Sequence, residues 1–302
     1  YSNLSNYYFQ ATSDEISNGG ILEEILIGPL NASDTRVINI LQRKYLDPPS
    51  SKPYNLSTDF KYKTRKNSYS WPFIHIFIQR LFSNQSGGFF VEAGALDGEF
   101  MSNTLWLEQE SNWTGLLVEP DLYNYRELLM KQRRAWASNS CLSSNSYPKQ
   151  TIMVSRRRNN EQTSRKYPPW IFRGASHQLE YSLPSSYDSF FALSTSTYLN
   201  VQSFPLYSYL LALNVTTVDL IILDVQGAEI GIIESIPFDK TRIRVFIIEH
   251  ITDNRLDKDF VQFFDKKGYQ LIGYGGESDY VFVLKSEFSS RKFETVTKFQ
   301  TE

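Results

Sequence analysis

Cysteine is nearly absent. Cys141 is the only one in 302 residues, which excludes an intrachain disulfide framework and a zinc site built from several thiolates. No excess of one charge exists either: 31 Lys plus Arg stand against 33 Asp plus Glu, so no overall field draws nucleic acid or an anionic membrane. A nucleic-acid partner is disfavoured. No apolar run approaches the roughly 18 residues that a membrane span needs, and no internal repeat is visible. The chain opens on Tyr1-Ser2-Asn3 instead of methionine and a leader, so any leader or natural membrane anchor is expected to lie outside this sequence.

What is present points to a folded domain. The 41% of hydrophobic residues, with 21 Phe and 19 Tyr, argues against disorder. Six Asn-x-Ser/Thr sequons occur, at Asn3, Asn31, Asn55, Asn84, Asn112 and Asn214, where 18 Asn at this Ser and Thr content give roughly three by chance. The excess favours N-glycans and the secretory pathway (ER or Golgi lumen, or secretion).

Residues 1–70 read as an N-terminal extension with one helix, over Ile21 to Ile27 or Arg36 to Tyr45, and a basic patch from Lys61 to Lys66. The main domain runs over 71–288, followed by a tail over 289–302. Phe73, Ile74, Phe77, Ile78, Leu81 and Phe82 recur at helical spacing. Then a βαβ pattern begins: strand Gly88 to Ala93, helix Ser102 to Glu110, strand Thr114 to Glu119, helix Leu122 to Gln132. The stretch of about 143–196 turns polar, with Arg156-Arg157-Arg158, Arg165-Lys166 and Pro168-Pro169, and reads as an irregular insertion or lid. Order resumes with helix Phe204 to Leu213, strands Val218 to Val225 and Val245 to Glu249, helix Phe260 to Lys267, and strands Tyr269 to Gly273 and Tyr280 to Leu284. This alternation predicts a doubly wound α/β fold whose last strands form an antiparallel end.

Ligands of open α/β sheets bind beyond the carboxyl ends of the strands, and here those ends are acidic. EAGALDG, Glu92 to Gly98, follows the first strand: Gly94 allows a sharp turn close to a ligand, Ala95 follows it, and Glu92 and Asp97 offer acceptors. Glu119, before Pro120, ends the next strand and is suited to two ribose hydroxyls. A nicotinamide cofactor also suits Glu119, but GALDG lacks the third glycine of the dinucleotide fingerprint. Asp224 and Glu229 follow a third strand in DVQGAE, and Glu249-His250 follows a fourth.

These segments resemble the FkbM family of S-adenosylmethionine-dependent methyltransferases, especially its arthropod Star-like branch. The matching text is GGFFVEAGALDGEFMSNTLWLE, NWTGLLVEPDLYNYREL, CLS at Cys141, FPLYSYLLAL, VDLIILDVQGAEIGIIESIPFD and VFIIEH, within Gly87 to Leu284. The resemblance implies a Rossmann-like class I methyltransferase sheet, S-adenosyl-L-methionine as cofactor, and O-methyl transfer to a sugar hydroxyl or another small polar acceptor. Its alternative is a protein that keeps the fold but serves in binding or trafficking. The implied cofactor contacts are Glu92, Gly94, Ala95, Asp97, Glu119, Pro120 and Asp224. Asp224 is the implied base, with His250 as co-base or orienting partner and Glu229 as a substrate or metal ligand, although no spacing demands a metal. The competing reading of Asp224 is a cap on a helix beginning at Gly227. Relatives often carry Cys where Ser203 stands, which leaves Cys141 without that partner.

Overall fold

The structure, a computed structural model, describes residues 30–58, 69–158, 169–181, 194–251, 256–275 and 278–288. The expected helix at Ile21 to Ile27, the basic patch at Lys61 to Lys66, Arg165-Lys166 and the tail over 289–302 lie outside the described residues.

The short apolar runs form the strands they predict: β1 (Phe89–Ala93), β2 (Thr114–Val118), β8 (Thr217–Leu223) and β9 (Arg242–Glu249). Together with β3 (Trp136–Ser138), β10 (Tyr269–Gly275) and β11 (Asp279–Leu284) they make one seven-stranded sheet, ordered β3-β2-β1-β8-β9-β11-β10. β1 pairs in parallel with both β2 and β8, while β11 runs antiparallel to β9 and β10. The predicted antiparallel end is therefore present. Alternate residues feed two separate cores: Phe246 and Ile248 of β9 enter one with Tyr280 and Phe282, and Val245 and Ile247 enter the other with Val281 and Val283. Burial on both faces explains why these strands read as unbroken apolar runs.

Helices close the faces. α1 (Thr35–Ile40) continues into a π-helical turn (Leu41–Tyr45), and Val37 and Leu41 join the first core beside Tyr209. The described part of the first seventy residues is thus docked on the sheet. α2 (Pro72–Phe82) starts on a proline, where the missing N–H costs nothing, and packs Phe77 against Gly273 of β10. α3 (Leu105–Ser111) and α4 (Leu122–Met130) cross from β1 to β2 and from β2 to β3. Asp121 caps α4 by accepting from the backbone N–H groups of Tyr123 and Asn124 at 2.9 and 3.2 Å.

The described part of the stretch expected to be irregular belongs to a second sheet. β4 (Cys141–Leu142), β5 (Lys149–Arg158), β6 (His177–Gln178) and β7 (Ser194–Phe204) are ordered β4-β7-β5-β6. β5 and β7 pair antiparallel from Lys149 opposite Ser203 to Arg158 opposite Ser194. The expectation failed because β7 leaves Thr195, Ser196, Thr197 and Tyr198 exposed, so it lacks the apolar signal of a buried strand. Thr, Ile, Val and Tyr nevertheless suit an extended backbone. α5 (Pro169–Gly174) leads into β6, and α6 (Leu206–Ala212) follows β7. The remaining helices are α7 (Glu229–Glu234), α8 (Lys258–Lys266) and α9 (Lys285–Phe288). No described helix is long and apolar enough to cross a membrane.

Candidate functional site

Topology decides where a ligand fits. From β1 the chain moves outward to β2 and β3 and returns to β8 on the other side of β1, so a crevice opens at the carboxyl ends of these strands. A cleft lies there with about 550 Å³ of empty space, its open mouth included, within the range of small-ligand sites. Its floor comes from Ala93, Gly94, Val118, Glu119, Asp224 and Val225. Its roof is the second sheet with α5, which contributes Met153, Arg173, Ser176 and Gln178.

The floor is stitched by backbone bonds. Gly94 N donates to Val118 O at 3.0 Å, and Asp224 N donates to Ala93 O at 3.1 Å. Gly94 has a φ of +84°, and a Cβ on it would lie 2.0 Å from the Asp224 carbonyl oxygen. Only glycine fits where the two strand ends come this close.

Four of the residues singled out for the cofactor line the cleft: Gly94, Glu119, Pro120 and Asp224. Glu119 Oε1 accepts from Asp121 N at 2.9 Å and Asn124 Nδ2 at 3.2 Å, and Oε2 accepts from Leu96 N at 2.8 Å. A carboxylate offers about four acceptor positions, so about one remains, on Oε2, where two ribose hydroxyls were expected. Burial pushes the Glu119 carboxyl up to about 8 against these hydrogen bonds.

Glu92, Ala95 and Asp97 lie off the cleft. Strand alternation sends Glu92 to the opposite face of β1 from Ala93, where it accepts from Ser102 Oγ at 3.0 Å, Asn103 N at 2.7 Å and Thr104 Oγ1. Ala95 packs into the second core with Phe90 and Leu117. Asp97 Oδ1 accepts from Glu99 N at 3.0 Å and Phe100 N at 2.7 Å, which shapes the loop from inside.

The three residues considered for catalysis are also separated. Asp224 stands exposed at the mouth of the cleft. His250 turns outward: its Nε2 lies 3.1 Å from Asp257 Oδ2 and its ring stacks on Phe260 at 4.1 Å. Glu229 is buried in the turn after β8, where it accepts from Val225 N at 3.1 Å and from Gly227 N at 3.0 Å. Burial raises the Glu229 carboxyl to about 7. Glu229 thus ties the turn before α7, and no capping bond comes from Asp224.

The partner of Asp224 is Glu249. Gln226 Nε2 donates to Asp224 Oδ1 at 2.6 Å and to Glu249 Oε2 at 2.7 Å, bridging the ends of β8 and β9. Both carboxyl groups are raised, Glu249 by its burial and by the neighbouring Asp224 charge, and Asp224 by the protein that displaces water around its base although its side chain is open to the cleft. Two carboxyl groups bridged by one amide do not both ionise without cost, so a shared proton belongs on Glu249, the less exposed of the two, and Asp224, open to the cleft, is the ionised member. Asp279, opposite Glu249 in β11, is raised to about 7 by burial and by Asp224. Among the described residues no three His, Cys, Asp or Glu side chains converge as metal ligands do.

Several site residues gave no sequence signal. Leu96 and Gln226 hold positive φ values of 47° and 58°, unusual for side chains of this size. Gln178 reaches the cleft from a strand of two residues, and its Oε1 is buried without a hydrogen-bond partner. Cys141 lines the cleft too, with its thiol pushed well up by burial. The donor set suits S-adenosylmethionine: a glycine cradle at Gly94, carboxylates at Glu119 and Asp224 for hydroxyl and ammonium groups, and an orphan buried acceptor at Gln178.

No curated protein matches the chain. Among solved structures, TrmK of M. capricolum in complex with S-adenosyl-homocysteine is 10% identical, with 71% of this chain and 67% of that chain covered at a TM-score of 0.31. A human methyltransferase 10 domain containing protein is 8% identical, with 83% and 94% covered at a TM-score of 0.35. These likenesses are too low to carry an argument. The profile of the Methyltransferase FkbM domain, by contrast, matches residues 92–271, well over half of the chain. That span contains the whole floor and roof of the cleft, and the chain belongs to the FkbM methyltransferase family as an enzyme that uses S-adenosyl-L-methionine.

Proposed function

We propose that this enzyme methylates a hydroxyl group of a sugar or another small polar acceptor, and that it does so in the secretory pathway. The observation that carries the reaction is the Asp224–Gln226–Glu249 arrangement at the cleft mouth. An alcohol must lose its proton as its oxygen forms the new bond to carbon, and a positioned base contributes about 10²–10⁴-fold to such a step. S-adenosylmethionine, when bound, supplies the electrophilic methyl group.

The chain's own residues have three tasks. Gly94 lets the floor approach the cofactor, and Glu119 Oε2 accepts from a ribose hydroxyl. Asp224 takes the acceptor's proton. Gln226 holds its carboxylate in place, and the proton on Glu249 keeps the pair from carrying two charges. His250 is no co-base in this reading, because its Nε2 is engaged with Asp257, its ring is stacked on Phe260 and it does not line the cleft.

The secretory assignment is supported by the sequons. Asn31, Asn55, Asn84, Asn112 and Asn214 are all exposed, and Asn112 and Asn214 occupy left-handed turns that end helices. One preparation tests both parts. Protein from a secretory host is expected to carry endoglycosidase-sensitive mass and to transfer labelled methyl to small polyols or sugars. Asp224→Asn should still bind S-adenosylhomocysteine but turn over about 10²–10⁴-fold more slowly. A variant that turns over at the wild-type rate removes Asp224 from the chemistry, and an unglycosylated product removes the compartment.

A further inference from the structure

The roof of the cleft carries a group that the chemistry above leaves unused. Gln178 is 3% exposed, and its side-chain oxygen has no hydrogen-bond partner inside the protein. A buried amide oxygen left without a donor is costly, so an acceptor kept in that state on a residue that lines a ligand cleft indicates a ligand that donates to it. Gln178 is placed with some care. β6 pairs with β5 so that Gln178 lies opposite Met153, on the same face, and both side chains line the cleft.

The roof is also fixed to the scaffold. Arg157 Nη2 donates to Asp121 Oδ1 at 2.5 Å, and Ser155 Oγ donates to Asp121 Oδ2. Arg173, itself a lining residue, donates from Nε to Asn124 Oδ1 at 2.6 Å and from Nη2 to Glu127 Oε2 at 2.7 Å. Both anchors grip the start of α4, the helix that follows Glu119. Gln178 is therefore carried by a sheet tied to the helix that follows Glu119, and the two residues line the same cleft.

The cofactor has three kinds of hydrogen-bond donor: its ammonium group, its ribose hydroxyls and the 6-amino group of adenine. The first two are strong donors that suit a carboxylate such as Glu119, the strongest kind of acceptor in the cleft. The third is an uncharged donor on the edge of a flat apolar ring. Gln178 is an uncharged acceptor, and Met153 opposite it offers a thioether to an aromatic face, while Leu142, at the far edge of the same sheet, adds an aliphatic surface to the lining. Amide side chains pair with adenine through this same amino group elsewhere in protein chemistry. We infer that Gln178 reads the adenine 6-amino group, so that the inserted second sheet supplies the base specificity of the cofactor site.

The inference rests on S-adenosylmethionine as cofactor, and its test separates the two. Calorimetry on the full chain compares S-adenosylhomocysteine with S-inosylhomocysteine, which carries a 6-oxo group in place of the 6-amino group. The wild type should prefer the adenosyl ligand by about tenfold or more, since a site built around a donor rejects an analogue lacking it. Gln178→Met, similar in length but without the amide, should lose that preference by weakening the adenosyl ligand alone, with a melting temperature that does not fall. Gln178→Leu is the second variant if the first does not fold. A wild type that binds both ligands equally overturns the inference, and so does a variant that weakens both alike or neither. A wild type that binds neither overturns the cofactor reading itself.

Discussion

Leu220, Ile221, Ile222 and Leu223 of β8 are buried on both faces of the main sheet, whereas Thr195 to Tyr198 of β7 stand in solvent on the second. The main sheet is held by apolar burial on two sides, worth about 25 cal/mol per Å² removed from water. The second sheet enters a core at Leu142 and Phe204, and beyond them it relies on its ladder and on polar anchors at Asp121, Asn124 and Glu127. Burial opposes ionisation of Asp121, yet the hydrogen bonds from Ser155 and Arg157 hold its carboxyl below the usual range. The difference teaches how the site divides its labour. Rigid strand ends fix Glu119 and Asp224, and a more weakly held roof brings Gln178 and Met153 over them.

The scaffold side of this contrast is broken most severely at Arg133. Its Nε donates to Glu108 Oε1 at 2.9 Å and its Nη2 to Thr104 Oγ1 at 3.0 Å, and Thr104 in turn donates to Glu92 of β1. The Arg133 side chain is 2% exposed and the Glu108 side chain 0%. Arg133→Met strands Glu108 and Glu92 without a cation, and removing one member of a buried pair costs about 3–5 kcal/mol. Denaturant melts should show this loss. If a melt shows less than about 1 kcal/mol, the carboxylates have found water and the scaffold is softer than its burial implies.

The roof side is sharpened by a crosslink. Cys141 and Ser203 are register partners in the parallel pair β4–β7, so their side chains leave the same face next to each other. Ser203→Cys should oxidise to a disulfide with Cys141, closing a long loop that contains the roof. Such bridges typically stabilise by about 2–4 kcal/mol, and losing the Ser203 Oγ bond to Lys149 O at 2.8 Å offsets about 1 kcal/mol of it. Thermal melts with and without reductant measure the net gain. Free thiols that persist under oxidant would place the two strands further apart than this pairing.

The same contrast explains what the sequence made legible. VDLIILDV and VFIIE announce buried strands, and their acidic ends locate the crevice, because burial on two faces and the strand-end rule both act locally. Which acid faces the ligand is a matter of alternation and turn geometry. Glu92 and Glu119 look equivalent as text, yet one lies behind β1 and the other in the cleft. His250 was a candidate only because Asp257 and Phe260, which engage it, arrive from a later helix. The second sheet was missed because its outer face is polar, and Gln178 with it, since the pairing that places this residue is non-local.

The smallest effect concerns the floor alone and comes from Glu119. Its carboxyl is raised to about 8 from an ordinary 4.5, so the native state holds a proton that the unfolded chain releases. Stability from this group is therefore present in full below about 4.5 and declines as pH rises toward 8, the reverse of a salt-bridged acid. Binding has the opposite sign. A ribose hydroxyl donates to the ionised form, so a ligand must expel the proton below pH 8, and affinity should rise with pH before levelling above it. The slope is at most about tenfold per pH unit, or about 1.4 kcal/mol. Calorimetry of S-adenosylhomocysteine at pH 6, 7, 8 and 9, in buffers of different ionisation enthalpy, reads both the affinity and the protons released. Glu119→Gln should bind more weakly at pH 9 and show a flatter profile. Should the wild-type profile be flat and proton release zero, Glu119 stays protonated in the complex and donates to the ligand, and the floor then recognises an acceptor atom there.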